Sequence, residues 1–203
     1  RGLTAQYLLR QVHRVIPGET ILFHAAAGGV GLIACQWAKA LGATVIGTVS
    51  TPEKAAIARA QGCDHVIVTT QENFVVRVKE ITGGEGVPVV YDSVGKDTFD
   101  ASLNSLAPRG YFVSFGTTTG APPPVVAGTL QKMGSLYFTR PTLVTYTAST
   151  QELRDSAAAV FEMFKRGALK VSINQRYKLD DVAQAHADLE GGKTTGSSVI
   201  LPS

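Results

Sequence analysis

The stretch HAAAGGVG, residues 24 to 31, places glycines at 28, 29 and 31 between the apolar run TILF and the helix-patterned LIACQWAKALG. In register, Ala26, Gly28 and Gly31 fill the three positions of G-x-G-x-x-G, with alanine at the first, and Gly29 is one glycine more than the pattern asks. The chemistry such a loop can do is anion binding. Free N–H groups at a helix start and the positive end of the helix dipole attract a diphosphate. Gly28 and Gly29 would let its oxygens reach the backbone, and Gly31 would let the helix pack on the strand before it. A tight strand-to-helix turn also calls for glycine on geometry alone. The strand before the glycines, the helix that opens at them and the strand that follows favour the nucleotide reading.

A second pair of residues bears on which nucleotide. The following strand ends Gly47-Thr48-Val49-Ser50-Thr51, with no acid where an NAD site carries Asp or Glu for the ribose 2′-hydroxyl. Ser50 accepts a 2′-phosphate without repulsion, and Lys54, one turn into the next helix, supplies charge. Glu53 suits the first turn of that helix, where the dipole favours an anion. A solvated surface lysine is the plain alternative for Lys54; the missing acid and the added base together point to NADP(H). The four histidines and two cysteines have no zinc or disulfide spacing, so no metal site is expected. His24, beside the glycine loop, is within reach of a cofactor, whereas His13, His65 and His186 read as packing residues. Cys35 and Cys63 read as inert, Asp92 as the cap of the turn after its strand, and Trp37 and Met133 as packing.

The elements that must position these residues alternate at short intervals. Strand-like runs fall at 20–25, 44–49, 65–68, 88–92, 111–115 and 135–139. Helical patterns fill most gaps: GLIACQWAKALG ending on Gly42, TPEKAAIARAQG with Thr51 as N-cap and Pro52 at the first helical position, then the faces Phe74/Val78/Ile81 and Phe99/Leu103/Leu106. Leu3, Tyr7, Leu8, Val12 and Val15 make an opening helix stopped by Pro17-Gly18. Strand–helix alternation implies parallel pairing through right-handed crossovers, hence a doubly wound α/β sheet, the Rossmann fold, of about six strands. After GTTTGAPPPVVAG the rhythm changes. Ser149 and Glu152 form a possible capping box for a helix through Arg166 with the apolar face Leu153, Ala157, Val160, Phe161 and Phe164. Leu169, Val171 and Ile173 alternate as a strand, DDVAQAHADLEGG reads as a helix and SSVILP as a last strand.

The 203 residues are 44% apolar, enough for one large domain or one domain and part of another. A net charge of +3, evenly spread, does not suggest nucleic-acid binding. No run is long and apolar enough for a membrane helix, and two thiols fit a reducing, cytoplasmic setting. The opening RGLTAQYLLRQ begins in what reads as mid-helix, so the chain is expected to be a fragment of a longer protein.

HAAAGGVGLIACQWAKALGA, VVYDSVG, VSFG, GSLYFTRPT and the terminal TTGSSVILP resemble the zinc-independent quinone oxidoreductases, relatives of zeta-crystallin in the medium-chain dehydrogenase/reductase superfamily. The likeness runs from Arg1-Gly2-Leu3-Thr4 to Pro202. It implies an NADP(H)-binding domain over residues 1–139 and, over 140–203, the C-terminal segment returning to a substrate domain formed mainly by an N-terminal part outside this chain. It implies NADPH passing a hydride to a quinone or related conjugated carbonyl. By the same resemblance Thr4 lies near the nicotinamide, Ala25 and Gly28, Gly29, Val30 and Gly31 hold the diphosphate, and Ser50 and Lys54 face the 2′-phosphate. Ser93, Phe115, Gly116, Phe138, Thr139 and Arg140 would line the adenosine or nicotinamide pocket, and Lys193 would be the basic residue before the TTG turn. Two departures stand out: Val68-Thr69 where the family often has Asn-Tyr, which weakens the NADPH assignment without reversing it, and Thr117 where it commonly has Asn. No convincing catalytic acid or base emerges, in keeping with hydride transfer, where orientation and the cofactor supply most of the rate. Enal or enone reduction, and a structural or RNA-binding role for a nucleotide-binding protein, are the alternatives, with nucleic acid disfavoured by the modest charge. SLYFT, an edge strand, is expected to pair across a two-fold axis in a homodimer. Alone, the fragment is expected to bind cofactor but to turn over slowly or not at all.

Overall fold

The computed structural model describes residues 1–202. Its centre is a six-stranded, wholly parallel sheet: β1 (Thr20–Phe23), β2 (Thr44–Val49), β3 (His65–Val68), β4 (Val87–Asp92), β5 (Leu106–Ser114) and β6 (Tyr137–Thr139), in the order 3-2-1-4-5-6. The crossover helices are α2 (Gly29–Ala40), α3 (Pro52–Ala60), α4 (Phe74–Ile81), α5 (Phe99–Asn104) and α6 (Ala127–Lys132), after a short opening helix α1 (Gly2–Tyr7). Local chemistry starts and stops them. Thr51 Oγ1 accepts from the Lys54 N–H with Pro52 at the first position, Asn73 caps α4, and Gly42 and Gly62 end α2 and α3 with positive φ.

Alternate residues of each strand divide the core. Ile21, Phe23, Val45, Val89 and Tyr91 pack with α1 and α2, while Leu22, Ile46, Ile67, Val90 and Phe112 pack with α4 and α5. Beyond β6 come α7 (Leu143–Tyr146) and α8 (Thr150–Lys165), which pack on α1. A parallel pair follows, β7 (Ile173–Lys178) and β8 (Ser197–Leu201), with α9 (Val182–Glu190) between. The Ser149–Glu152 capping box forms as the spacing predicts.

Four local expectations are corrected. The opening helix leaves α geometry at Leu8 for a π turn through Val12 and ends at His13, where the buried Tyr91 hydroxyl donates to the Leu8 and His13 carbonyls at 3.2 and 3.4 Å. Leu106 belongs to β5, paired with Val87, before a register shift that accommodates Pro108 and the left-handed Arg109 (φ 61°). The strand expected at Leu169–Ile173 instead begins at Ile173, because Leu169 is buried against the α-helical layer. On α8 only part of the predicted stripe faces α1: Val160 is buried, with Ser156 beside it, Ala157 and Phe164 are partly buried, and Leu153 and Phe161 are exposed.

Candidate functional site

The strand order reverses between β1 and β4, so their carboxyl ends open a crevice there, the place where such sheets hold ligands. The glycine loop sits at its floor. Ala25 takes a left-handed backbone (φ 51°), its carbonyl accepts the Gly28 N–H at 2.9 Å, and α2 starts at Gly29 with no side-chain cap and no acidic residue in its first turn. The first N–H groups of α2, at Gly29, Val30 and Gly31, therefore face outward with the helix dipole behind them. Gly31 is glycine because a Cβ would lie 2.4 Å from the Ala25 carbonyl oxygen. Gly47 on β2 is glycine for a related reason: a Cβ there would meet Cys63 Sγ at 2.6 Å and Ala26 Cβ at 2.7 Å.

Beyond β2, Ser50 and Lys54 line one open cleft of about 470 Å³ with Gly191, Gly192, Lys193 and Thr195 from the far end of the chain. Lys54 Nζ donates to Ser50 Oγ at 3.3 Å and to the Gly192 carbonyl at 2.6 Å. Lys193 projects from the same turn with its ammonium 3.5 Å from Asp188. Spacing alone joined Ser50 to Lys54; the fold adds the 191–196 turn, which Gly196 N–H ties to the Ala27 carbonyl at 3.0 Å.

On the other side of the crevice, Ser93 and Gly116 are in contact. A Cβ on Gly116 would lie 2.6 Å from the Ser93 carbonyl oxygen, which also accepts from Thr118 N–H and Oγ. The loops after β4 and β5 zip together, Thr119 N–H and Oγ donating to Val94 O and Lys96 N–H to Gly120 O. Phe115 packs its ring toward Phe23. Arg140 donates to the Ser114 carbonyl at 2.9 Å, which holds its guanidinium at the strand ends just past Thr139. Thr4 is half-buried on α1, which lies along α2. Phe138 is not brought to the crevice: its ring packs on Phe112 and Phe99, so only its backbone is available to a ligand.

His24 is fully buried and does not reach a cofactor. It belongs to a polar network that spacing did not reveal. Thr48 Oγ is 2.8 Å from Nδ1, Ser102 Oγ is 2.9 Å from Nε2, and Ser102 donates to Asp92 Oδ2 at 2.9 Å. Asp92 also accepts from Val94 N–H, Gly95 N–H and Thr98 Oγ, so it caps the DSVG turn as expected. With Asp92 as a carboxylate the donors run one way: Thr48 O–H to Nδ1, Nε2–H to Ser102, Ser102 O–H to Asp92. Burial holds the His24 imidazole below its ordinary value against the pull of Asp92, which matches this neutral tautomer. Cys35 and Cys63 are buried thiols; the hydrogen bond from Cys63, then burial, push Cys35 well up and leave it unreactive. Among the described residues no three His, Cys, Asp or Glu side chains form a metal-sized cluster, and no helix is long and apolar enough to cross a membrane.

The profile of the family described as "Zinc-binding dehydrogenase" matches residues 29–166. A quinone oxidoreductase of Pseudomonas aeruginosa is 54% identical over 202 residues, covering all of this chain and 62% of the relative. A 2-haloacrylate reductase of a Burkholderia species is 48% identical over 203 residues, covering all of this chain and 61% of the relative. The crystal structure of Escherichia coli quinone oxidoreductase complexed with NADPH superposes with a TM-score of 0.96 at 51% identity, over 99% of this chain and 62% of that one. The chain thus spans about three-fifths of the length of the relatives it matches.

Proposed function

Because the chain belongs to the zinc-binding dehydrogenase family, in the zinc-independent quinone oxidoreductase branch of the medium-chain dehydrogenase/reductase superfamily, we propose that its protein is an NADPH-dependent oxidoreductase acting on a quinone. The observation that carries this reading is the cleft in which Ser50, Lys54 and Lys193 converge beyond a strand that ends without an acid. A ribose 2′-phosphate placed there meets Lys54 and, from the far turn, Lys193, which also pairs with Asp188; Glu53 lines the same cleft from the first turn of α3, and the strand end itself carries no acid. The uncapped start of α2, with Gly28, Gly29, Val30 and Gly31, would hold the diphosphate, and Ala25 would shape the loop. The loops carrying Ser93, Phe115 and Gly116, with Thr139, Arg140 and the Phe138 backbone, would flank the rest of the cofactor, and Thr4 its nicotinamide end. The nicotinamide, once bound, supplies the hydride; this chain's own residues bind it, orient it and hold the mouth of the sheet in shape.

Among the described residues the zinc of the family's description finds no ligand set: Cys35 and Cys63 are buried against each other within the helix–sheet core and no third ligand joins them. Two free thiols also support a reducing compartment such as the cytoplasm. Residues 1–139, which end with the last strand of the six-stranded sheet, are proposed as the cofactor-binding domain, and 140–203 as the segment that returns to a substrate domain. Edge strand β6 would pair with its copy in a homodimer.

Titration of the full-length protein with NADPH and NADH tests the reading. NADPH is expected to bind at least about tenfold more tightly, the equivalent of one charge-assisted contact; a preference for NADH, or binding of neither, overturns it. The 2-haloacrylate reductase relative supports a second reading of the acceptor, an alkene conjugated to a carbonyl. Steady-state rates on quinones and on alkenals decide between the two.

A further inference from the structure

Gly29 has no part in the G-x-G-x-x-G register, yet the structure gives it a reason. A Cβ at residue 29 would lie 2.6 Å from Cζ and Nε of Arg1 and 2.7 Å from Nη1. The guanidinium of Arg1 therefore lies flush against the first residue of α2, in the room that the missing side chain leaves. Its one hydrogen bond runs from Nη1 to the Gly196 carbonyl at 3.0 Å, and no carboxylate among the described residues pairs with it. A cation beside the positive end of a helix, with no acid in the first turn, adds to the attraction that the helix start has for an anion.

We propose that Arg1 is a diphosphate-binding residue of this protein, and that Gly29 is glycine to seat its guanidinium beside the amides of α2. The proposal rests on the dinucleotide reading above and deepens it. Arg1 offers the remaining N–H groups of its planar fork to the phosphate oxygens while its Gly196 bond holds the C-terminal turn against the glycine loop. It acts on the part of the cofactor that NADPH and NADH share, whereas Lys54 lies in the separate cleft beyond β2.

The test is isothermal titration of the full-length wild type, Arg1→Gln, Gly29→Ala and the double variant with NADPH, NADH, ADP-ribose and 2′-AMP. Arg1→Gln is expected to weaken NADPH, NADH and ADP-ribose alike by about tenfold or more, the worth of one charge-assisted contact. 2′-AMP, which has no diphosphate, is expected to bind unchanged. Gly29→Ala evicts the flexible arginine rather than backbone, so it is expected to give a similar loss, and the double variant no further loss. Unchanged dinucleotide affinity in Arg1→Gln, a loss confined to NADPH and 2′-AMP, or strictly additive losses would each overturn the proposal while leaving the cofactor reading in place. Failure of the wild type to bind any dinucleotide would instead remove that reading.

Discussion

Replacing Gly31 by alanine tests whether close packing of α2 on β1 sets the geometry of the site. The new Cβ would stand 2.4 Å from the Ala25 carbonyl oxygen, 2.6 Å from that of Ala26 and 2.8 Å from the Ala26 carbonyl carbon. All three are backbone atoms, so no side chain can rotate away. An ordinary carbon–oxygen contact is about 3.3 Å or more, so loop and helix must part by roughly 1 Å. Such overpacking costs about 3 kcal/mol, at the upper end of the usual range because only backbone can yield. The better helix propensity of alanine returns at most about 1 kcal/mol, for a net loss of about 2 kcal/mol. In a domain of this size that lowers the melting temperature by about 4–8 °C. The same movement would withdraw the amides of residues 29 to 31 from a bound diphosphate, and losing one contact to a charged group raises Kd by about tenfold or more. Differential scanning fluorimetry and titration with NADPH read the two effects. Gly128→Ala is the matched control: it lies in α6 with nothing within 4 Å of the added methyl, and is expected to be neutral or slightly stabilising. A Gly31→Ala protein that melts within about 1 °C of wild type would refute the close-packing account, because a backbone clash of that size would have to cost more.

Lys54→Met is expected to raise the Kd for NADPH about tenfold and leave that for NADH unchanged, read by titration; equal losses for both would take Lys54 away from the 2′-phosphate. His24 makes stability depend on acid. Its folded value lies below the ordinary 6.5, so the unfolded chain takes up the proton first; stability is level above pH 6.5 and falls as pH drops below it. The slope is at most about 1.4 kcal/mol per pH unit, and urea titrations at stepped pH are expected to show that part of it vanish in His24→Gln. Tyr137, half-exposed on edge strand β6 and stacked on Tyr111 at 4.5 Å, tests the proposed pairing of β6 with its copy. Tyr137→Lys is expected to shift the mass from dimer to monomer in light scattering.

Elements whose causes are local could be read from the residues. The caps at Thr51 and Ser149, the glycine stops at 42 and 62 and the apolar runs of all six sheet strands act within one turn or one strand of themselves. The elements misread are those governed from a distance. Leu106 continues the stripe of Phe99 and Leu103, but pairing with Val87 claims it for β5, and the Arg109 N–H then finds Gly134 O at 2.7 Å across the bulge. The apolar stripe on α8 is real as a pattern; which part of it is buried depends on where α1 lies, and nothing in residues 150–165 encodes that.

The site divides the same way. Anion binding at a helix start depends on consecutive amides and small residues, so the proposed diphosphate site is legible in HAAAGGVG, and the proposed charge preference in the missing acid after β2. The surroundings come from residues separated by most of the chain: Arg1 and Gly196 at the glycine loop, Lys54 and Gly192 at the cleft, Ser102 and His24 beneath it. Ser102 sits in an ordinary-looking helix with no neighbour in sequence to mark it. Gly29 is the one place where a distant contact left a local trace, a glycine in surplus of its motif. At the first position of α2 a glycine leaves room that a neighbouring group can take. Here the group is the Arg1 guanidinium, which would add a cation to the proposed diphosphate site.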